Sequence, residues 1–144
     1  MAGGDASPTR AFDRTRHDHA SETAEDYVEA IAEIIGRDGV CRGAALAKLF
    51  GVSHVTVTKT VNRLKREGLA MAEPYGPIEL TAQGKRLATA SRRRHEIVFS
   101  FLKSLGISDA VALTDSEGIE HHVSAETLKA FQRFVEREDR RKND

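Results

Sequence analysis

The sequence predicts a mainly α-helical protein with one small β-hairpin, and three observations carry this prediction. Apolar residues recur along most of the chain at the three- and four-residue spacing of an amphipathic helix. Glycine, serine or threonine residues stand where these patterns end or begin, as helix stops and caps require. Only around the segment PYGP, residues 74–77, do short runs predict two strands joined by a turn.

The predicted elements follow one another with short connections. Their order is a mobile polar arm over residues 1–21, a helix that begins at Thr23 and is ended by Gly36 and Gly39, a helix over residues 43–50, a helix from Ser53 to Gly68, strands over residues 69–73 and 78–81, a long helix over residues 82–105, a helical stretch from Ser108, and a last helix capped by Ser124. They divide into two domains, residues 22–81 and residues 82–144.

The first of these domains has the arrangement of a winged helix-turn-helix. A short helix ends at Gly51, a polar-faced helix follows, and the hairpin comes directly after it. The N-terminal turns of such a second helix fit the major groove of DNA. Side chains that we expect to face bases or phosphates are Ser53, Val55, Thr56, Lys59 and Arg63, with Tyr75 at the tip of the wing.

Charge is distributed in a way that favours an anionic partner for this domain. The chain has 22 basic and 22 acidic residues, so its net charge excludes nothing by itself. From Arg42 to Arg66, however, six basic residues occur and no acidic one, whereas acids gather in residues 22–33 and 109–126. One basic surface and one acidic surface are therefore predicted, for an anion and a cation respectively.

Composition excludes several other classes of protein. No apolar run approaches the roughly 20 residues of a membrane helix, and the first residues lack a signal-peptide pattern. Cys41 is the single cysteine, which excludes an intrachain disulfide and a cysteine-based zinc cluster. We therefore expect a cytoplasmic protein that binds no membrane.

The segment EGIEHHV, residues 117–123, contains the most unusual group of side chains. On a helix Glu117, Glu120 and His121 stand at i, i+3 and i+4 and share one face. Because three ligands from one helix rarely complete a site, further candidates are Asp26 and Glu29, on one face of the first helix, and His95. Acid pairs at this spacing are more often solvated faces or salt-bridge partners, so this interpretation stays open beside the metal site.

These six residues offer four carboxylates and two imidazoles, with no sulfur. Such ligands suit manganese, and also ferrous iron, better than copper(I) or structural zinc. Four carboxylates balance the charge of two divalent cations, which favours a binuclear site. The HExxH pattern of many zinc hydrolases is missing, since His95-Glu96 is followed by Ile97, Val98 and Phe99.

Four segments taken in order, EDYVEAI, GVSHVTVTKTVNRLKREGL, RRRHEIV and EGIEHHVS, resemble the diphtheria toxin repressor family, and most of all its MntR branch of manganese transport regulators. The likeness runs from about Glu25 to Phe134. It implies a homodimeric, metal-activated transcriptional repressor whose metal ligands would be the six residues named above. The iron-sensing branch places a methionine and a cysteine where this chain has Asp26 and Glu117, which favours manganese over iron.

The function expected from these observations is repression of manganese uptake genes by binding a palindromic operator in double-stranded DNA. Manganese would bridge the DNA-binding and dimerisation domains, and no small organic ligand is expected. Three alternatives remain: an iron- or zinc-responsive repressor, a winged-helix regulator that needs no metal, and a binuclear metallohydrolase. The last has no obvious nucleophile in the sequence and would leave the basic helix without a role.

Overall fold

The computed structural model describes the backbone of residues 8–144 and the side chains from residue 19 onward. Within that range the elements are α1 (Pro8–Asp38), α2 (Gly43–Phe50), α3 (His54–Arg66), β1 (Ala70–Ala72), β2 (Ile78–Leu80), α4 (Ala82–Ser104), α5 (Asp109–Ile119) and α6 (Ala125–Asn143). The prediction of a mainly helical protein is confirmed. Two compact units divide inside α4: one ends at Ala88 and the other runs from Thr89 to Asp144.

The N-terminal unit is built around one apolar core to which α1, α2, α3 and the hairpin all contribute. Its fully buried residues include Val28 and Ile31 on α1, Leu46 on α2 and Leu64 on α3. The aromatic ring of Tyr27 stacks on Phe50, with ring centroids 4.5 Å apart. Each helix therefore buries its apolar stripe and leaves its polar stripe in solvent.

The two strands form an antiparallel hairpin in which Ala70 pairs with Leu80 and Ala72 with Ile78. Ile78 also donates its amide to the carbonyl of Cys41, at 2.8 Å, which ties the hairpin to the segment before α2. Burial raises the pKa of the Cys41 thiol to about 11. The thiol is therefore neutral at physiological pH and acts as a small packing group.

The C-terminal unit has a smaller core formed by α4, α5 and α6. Val98, Leu102 and Ala112 are buried, and Phe101 stacks on Phe131 with ring centroids 4.0 Å apart. Ser124 caps α6 by accepting a hydrogen bond from the Thr127 amide. Among the described residues, no helix combines the length and the apolarity needed to cross a membrane.

Two predicted helix ends are wrong. The first helix begins at Pro8 rather than at Thr23, because residues 9–35 contain no glycine or proline and polar side chains alone do not stop a helix. Of the predicted mobile arm, residues 1–7 lie outside the described residues and the remainder belongs to α1. The second wrong end is that of α5, which ends at Ile119, so Glu120 and His121 lie in the turn that follows it.

Candidate metal centre and DNA-recognition surface

A buried carboxylate between two imidazoles is the most unusual feature of the C-terminal unit. Glu120 has only 4% of its surface exposed. One of its oxygens, Oε2, lies 2.8 Å from Nδ1 of His95, and the other, Oε1, lies 3.4 Å from Nε2 of His121. Burying a carboxylate costs free energy unless charged or hydrogen-bonding groups surround it. All three side chains are of types that bind divalent metals.

The positions of these three residues follow from the local fold. His95 is held on α4, where its ring packs parallel to that of Phe99. Glu120 continues the last turn of α5 with its amide bonded to the Ser116 carbonyl, and the chain then tightens so that the His122 amide bonds to Ile119. The side chains of Glu120 and His121 therefore meet because both residues lie in this turn, and not because they share one face of a continuous helix.

Of the other three predicted ligands, one belongs to the C-terminal unit and two belong to the N-terminal unit. Glu117 is exposed on the last turn of α5. Asp26 and Glu29 belong to α1 of the N-terminal unit, where both are partly buried, one helical turn apart. The structure of the C-terminal unit thus brings together His95, Glu120 and His121, half of the predicted set.

In the N-terminal unit, α3 is the helix predicted to enter the major groove, here called the recognition helix, and its exposed face is free of acidic residues. Ser53 caps it by accepting a hydrogen bond from the Thr56 amide at 3.1 Å. Val55 is 64% exposed, which is unusual for an apolar side chain, and Lys59 is exposed beside it. The predicted DNA-facing residues of the first two turns therefore all lie at the surface.

The wing tip is exposed as well. Tyr75 is fully exposed and adopts a left-handed backbone conformation with φ of 61°, which is rare outside glycine and asparagine. Arg42, which was not among the predicted DNA-facing residues, donates a long hydrogen bond of 3.5 Å to the Tyr75 carbonyl. The only sequence signal for Arg42 was its place at the start of the basic run.

A cavity of about 730 Å³ lies between the recognition helix and the wing. Its polar lining residues include Arg42, His54, Asn62, Lys65 and Tyr75, together with one acidic residue, Glu73. Two cationic side chains and several hydrogen-bond donors along a groove suit a phosphodiester backbone. His54, Asn62 and Lys65, which were not among the predicted DNA-facing residues, line this cavity.

Arg63 behaves differently from the other predicted DNA-facing residues. Its Nη2 donates a hydrogen bond of 2.6 Å to the Ala20 carbonyl on α1, and its Nε donates one of 2.9 Å to the Glu67 carboxylate. The side chain is therefore bound within the protein. Its partner Ala20 is 43 positions away in the sequence, so no local pattern could have predicted this contact.

Two family models match this chain, one in each half. A family model described as the N-terminal DNA-binding domain of iron-dependent repressors matches residues 19–78. A second, described as their metal-binding and dimerisation domain, matches residues 81–142. The transcriptional regulator MntR of Escherichia coli O6:H1 is 44% identical over 126 residues, which cover 88% of this chain and 81% of that protein.

The chain belongs to the diphtheria toxin repressor family, in its MntR branch. The MntR regulator of Bacillus subtilis is 32% identical over 123 residues, covering 83% of this chain and 87% of that protein. The family consists of transcriptional repressors, and this excludes the alternative of a metallohydrolase.

Solved structures of manganese-responsive regulators have the same fold. The manganese regulator SloR superposes with a TM-score of 0.69 at 27% identity, over 78% of this chain and 53% of that one. A manganese-dependent transcriptional repressor in complex with manganese also gives a TM-score of 0.69, at 28% identity, over 78% of this chain and 52% of that one. This chain therefore spans about half the length of these two proteins.

Proposed function

We propose that this protein is a manganese-dependent transcriptional repressor that binds a palindromic operator as a homodimer in the cytoplasm. The observation that carries the proposal is the buried Glu120 carboxylate between His95 and His121, in the domain that matches a metal-binding model. Two solved structures with the same fold are described as a manganese regulator and a manganese-dependent transcriptional repressor, and genes for manganese uptake are the expected targets.

The side chains available fit a divalent cation of the manganese type. We assign the ligands to Asp26, Glu29, His95, Glu117, Glu120 and His121, from both units. Oxygen and imidazole nitrogen donors without sulfur suit Mn²⁺, and also Fe²⁺. Four carboxylates match the charge of two such cations, which makes a binuclear site the natural stoichiometry. A bound cation supplies the positive charge that lets these carboxylates stand close together.

The residues of α1 give metal binding a route to the recognition helix. Asp26 and Glu29 stand one turn apart on one side of α1, where two ionised carboxylates repel. On the other side of the same helix, Val28 and Ile31 belong to the core that also contains Leu64 of α3. A shift of α1 therefore displaces α3, because the side chains of the two helices are close-packed in one core.

The energy required of this coupling is modest. Turning a population that is almost wholly inactive into one that is almost wholly active takes about 5.5 kcal/mol of differential affinity. Several carboxylate and imidazole ligands that bind one conformation better than the other can supply it. Lowering the pH should weaken the response, since these ligands must be deprotonated to bind metal.

On the DNA side, the exposed first turns of α3 carry the residues for base recognition. Val55 and the methyl group of Thr56 suit thymine methyls, Lys59 suits a guanine edge, and Ser53 suits a base or a phosphate. Tyr75 extends the contact to the backbone or minor groove beside the wing. No small organic ligand is needed in this scheme.

A metal titration of operator binding tests the proposal. The operator is first selected from a random duplex pool with the manganese-loaded protein, and binding is then measured by gel shift with Mn²⁺, Fe²⁺, Zn²⁺ or no metal. We expect Mn²⁺ to stimulate binding most. A stronger response to Fe²⁺ or Zn²⁺ would assign the protein to that metal, and equal binding without metal would establish a metal-independent regulator.

Three variants separate the metal site from the DNA surface. His95→Ala and Glu117→Ala should abolish the manganese response while the protein stays a folded dimer. Lys59→Ala should weaken operator binding by about 1–3 kcal/mol, the usual contribution of a specific base contact, with metal affinity unchanged in the DNA-free protein. A normal manganese response in His95→Ala, or a tenfold loss of metal binding in Lys59→Ala, contradicts the assignment.

A further inference from the structure

The Arg63 guanidinium joins two helices of the N-terminal unit. It donates from Nη2 to the Ala20 carbonyl of α1, at 2.6 Å, and from Nε to the Glu67 carboxylate just after α3, at 2.9 Å. The side chain is 31% exposed, much less than a solvated arginine. An arginine fork has its donors in one plane, so two fixed acceptors determine the orientation of the whole group.

These contacts are poorly suited to a phosphate-binding arginine. Glu67 lies on the guanidinium and offsets its positive charge, and a phosphate would have to compete with that carboxylate. Lys59, Lys65 and Arg66 of the same helix are all exposed, and they supply the charge that a DNA backbone needs. Arg63 differs from them in both burial and partners.

The position of Ala20 shows what the contact can do. Ala20 precedes Asp26 by six positions on the same helix, about 9 Å along its axis at 1.5 Å per residue. The helix that carries two proposed metal ligands is thus bonded directly to the recognition helix. Ala24, one turn beyond Ala20, is buried in the common core, so the polar link lies at the edge of an apolar contact.

We propose that Arg63 is a positioning residue: it fixes the recognition helix α3 against α1 and does not contact DNA phosphate. This inference rests on the proposed function, since it concerns specific operator binding. To fix α3 against α1, the Arg63 guanidinium must donate to both of its acceptors, the Ala20 carbonyl and the Glu67 carboxylate. Lysine keeps the charge of Arg63 but lacks its planar fork, so it serves well at a phosphate and poorly at this link.

The test compares four variants by the salt dependence of DNA binding. Arg63→Gln, Arg63→Lys and Glu67→Gln alter the link, and Arg66→Gln is the control, because it removes the same charge from the same helix. Each is measured on the selected operator with saturating Mn²⁺ and on an unrelated duplex without metal. A lost phosphate contact lowers the slope of log K against log salt by about 0.9.

We expect Arg63→Gln to bind the operator about tenfold more weakly, the loss of a charge-assisted hydrogen bond, while its affinity for unrelated DNA stays within about twofold. Its salt slope should change less than that of Arg66→Gln. Arg63→Lys should fail to restore operator affinity. Glu67→Gln should lower the ratio of operator to unrelated-DNA affinity, although it removes a negative charge near DNA.

The opposite results would overturn the inference. One is an Arg63→Gln variant whose slope of log K against log salt falls by about 0.9 and whose affinity falls equally on both duplexes. Another is full operator affinity in Arg63→Lys. The third is a higher ratio of operator to unrelated-DNA affinity in Glu67→Gln. If Arg63→Gln lowers the thermal midpoint, the exposed Glu67→Gln change decides the question. Failure of the proposed function is distinguishable, because wild-type protein would then show no metal response on any duplex.

Discussion

At the scale of single residues, the burial of the Glu120 carboxylate needs a physical explanation. Only 4% of the surface of this residue is exposed, and its two carboxylate oxygens lie against the imidazoles of His95 and His121. A purely apolar core would have no use for a carboxylate between two imidazoles. The cost of burial is understandable if the site exists for a cation, and this makes Glu120 the residue on which the metal proposal depends most.

Gly84, in the first turn of α4, is a residue at which size decides stability. A Cβ atom there would collide with the carbonyl oxygen of Leu69 and press on Leu80. That carbonyl already accepts the Thr81 amide, and the Gly84 amide donates to the Thr81 hydroxyl, so neither backbone can yield. We expect Gly84→Ala to lower the free energy of unfolding by roughly 3 kcal/mol, the upper range for overpacking.

Gly36 supplies the matched control. It lies within α1 with no atom near the place of its missing Cβ, so Gly36→Ala should raise stability by roughly 0.5–1 kcal/mol. Denaturant unfolding followed by circular dichroism measures both variants. Equal stability of Gly84→Ala and wild type would mean that the contact between α4 and the hairpin is looser than the structure indicates.

At the scale of elements, serine caps provide a sharp comparison within one unit. Ser124 precedes α6 and accepts a hydrogen bond from the Thr127 amide at 3.1 Å. Ser108 precedes α5 in a similar backbone conformation but makes no capping bond with its side chain. Ser124→Ala should therefore cost about 1 kcal/mol, and Ser108→Ala a few tenths at most.

Thermal unfolding of the two serine variants measures this difference, with Ser124→Asp as a second control. Aspartate keeps a capping oxygen and places a negative charge at the helix N-terminus, so it should retain the stability of wild type. Losses of equal size in Ser124→Ala and Ser108→Ala would show that capping is not what distinguishes the two positions.

Helix boundaries were predictable from sequence where a local signal existed. The bounds of α2 and α4 agree with the prediction closely, because Gly51 ends one in a left-handed conformation and Thr81 starts the other. The start of α1 was not predicted, because the residues before Thr23 are polar without apolar periodicity and Thr23 is itself of a type that caps helices. The end of α5 was missed because residues 119–121 contain neither glycine nor proline.

The candidate site was predictable in its residue types but not in its contacts. Carboxylates and imidazoles at helical spacing indicated metal chemistry, and His95 and Glu120 do meet although 25 positions separate them. Which carboxylate is buried depends on tertiary packing, which no spacing encodes. For the same reason the sequence predicted that Arg63 and Lys59 both face outward, whereas the fold bonds Arg63 internally and exposes Lys59.

At the scale of the whole molecule, the family match to a dimerisation domain implies two recognition helices per assembly. A two-fold symmetric dimer requires an operator whose half-sites are related by the same symmetry. The half-sites should lie about 10–10.5 base pairs apart, or a multiple of this distance, so that both face the protein. Sequences selected with Mn²⁺ should therefore be palindromic and bind two chains per duplex.

Inserting five base pairs between the half-sites tests this geometry. The insertion turns one half-site by about 180°, so only one recognition helix can engage. Since specific binding exceeds non-specific binding by 10³ or more, we expect a loss of at least about 100-fold. The same five base pairs placed outside the palindrome should change affinity by less than about twofold. Nearly unchanged binding to the interrupted operator would mean that a single recognition helix suffices and that the dimer contributes nothing to operator choice.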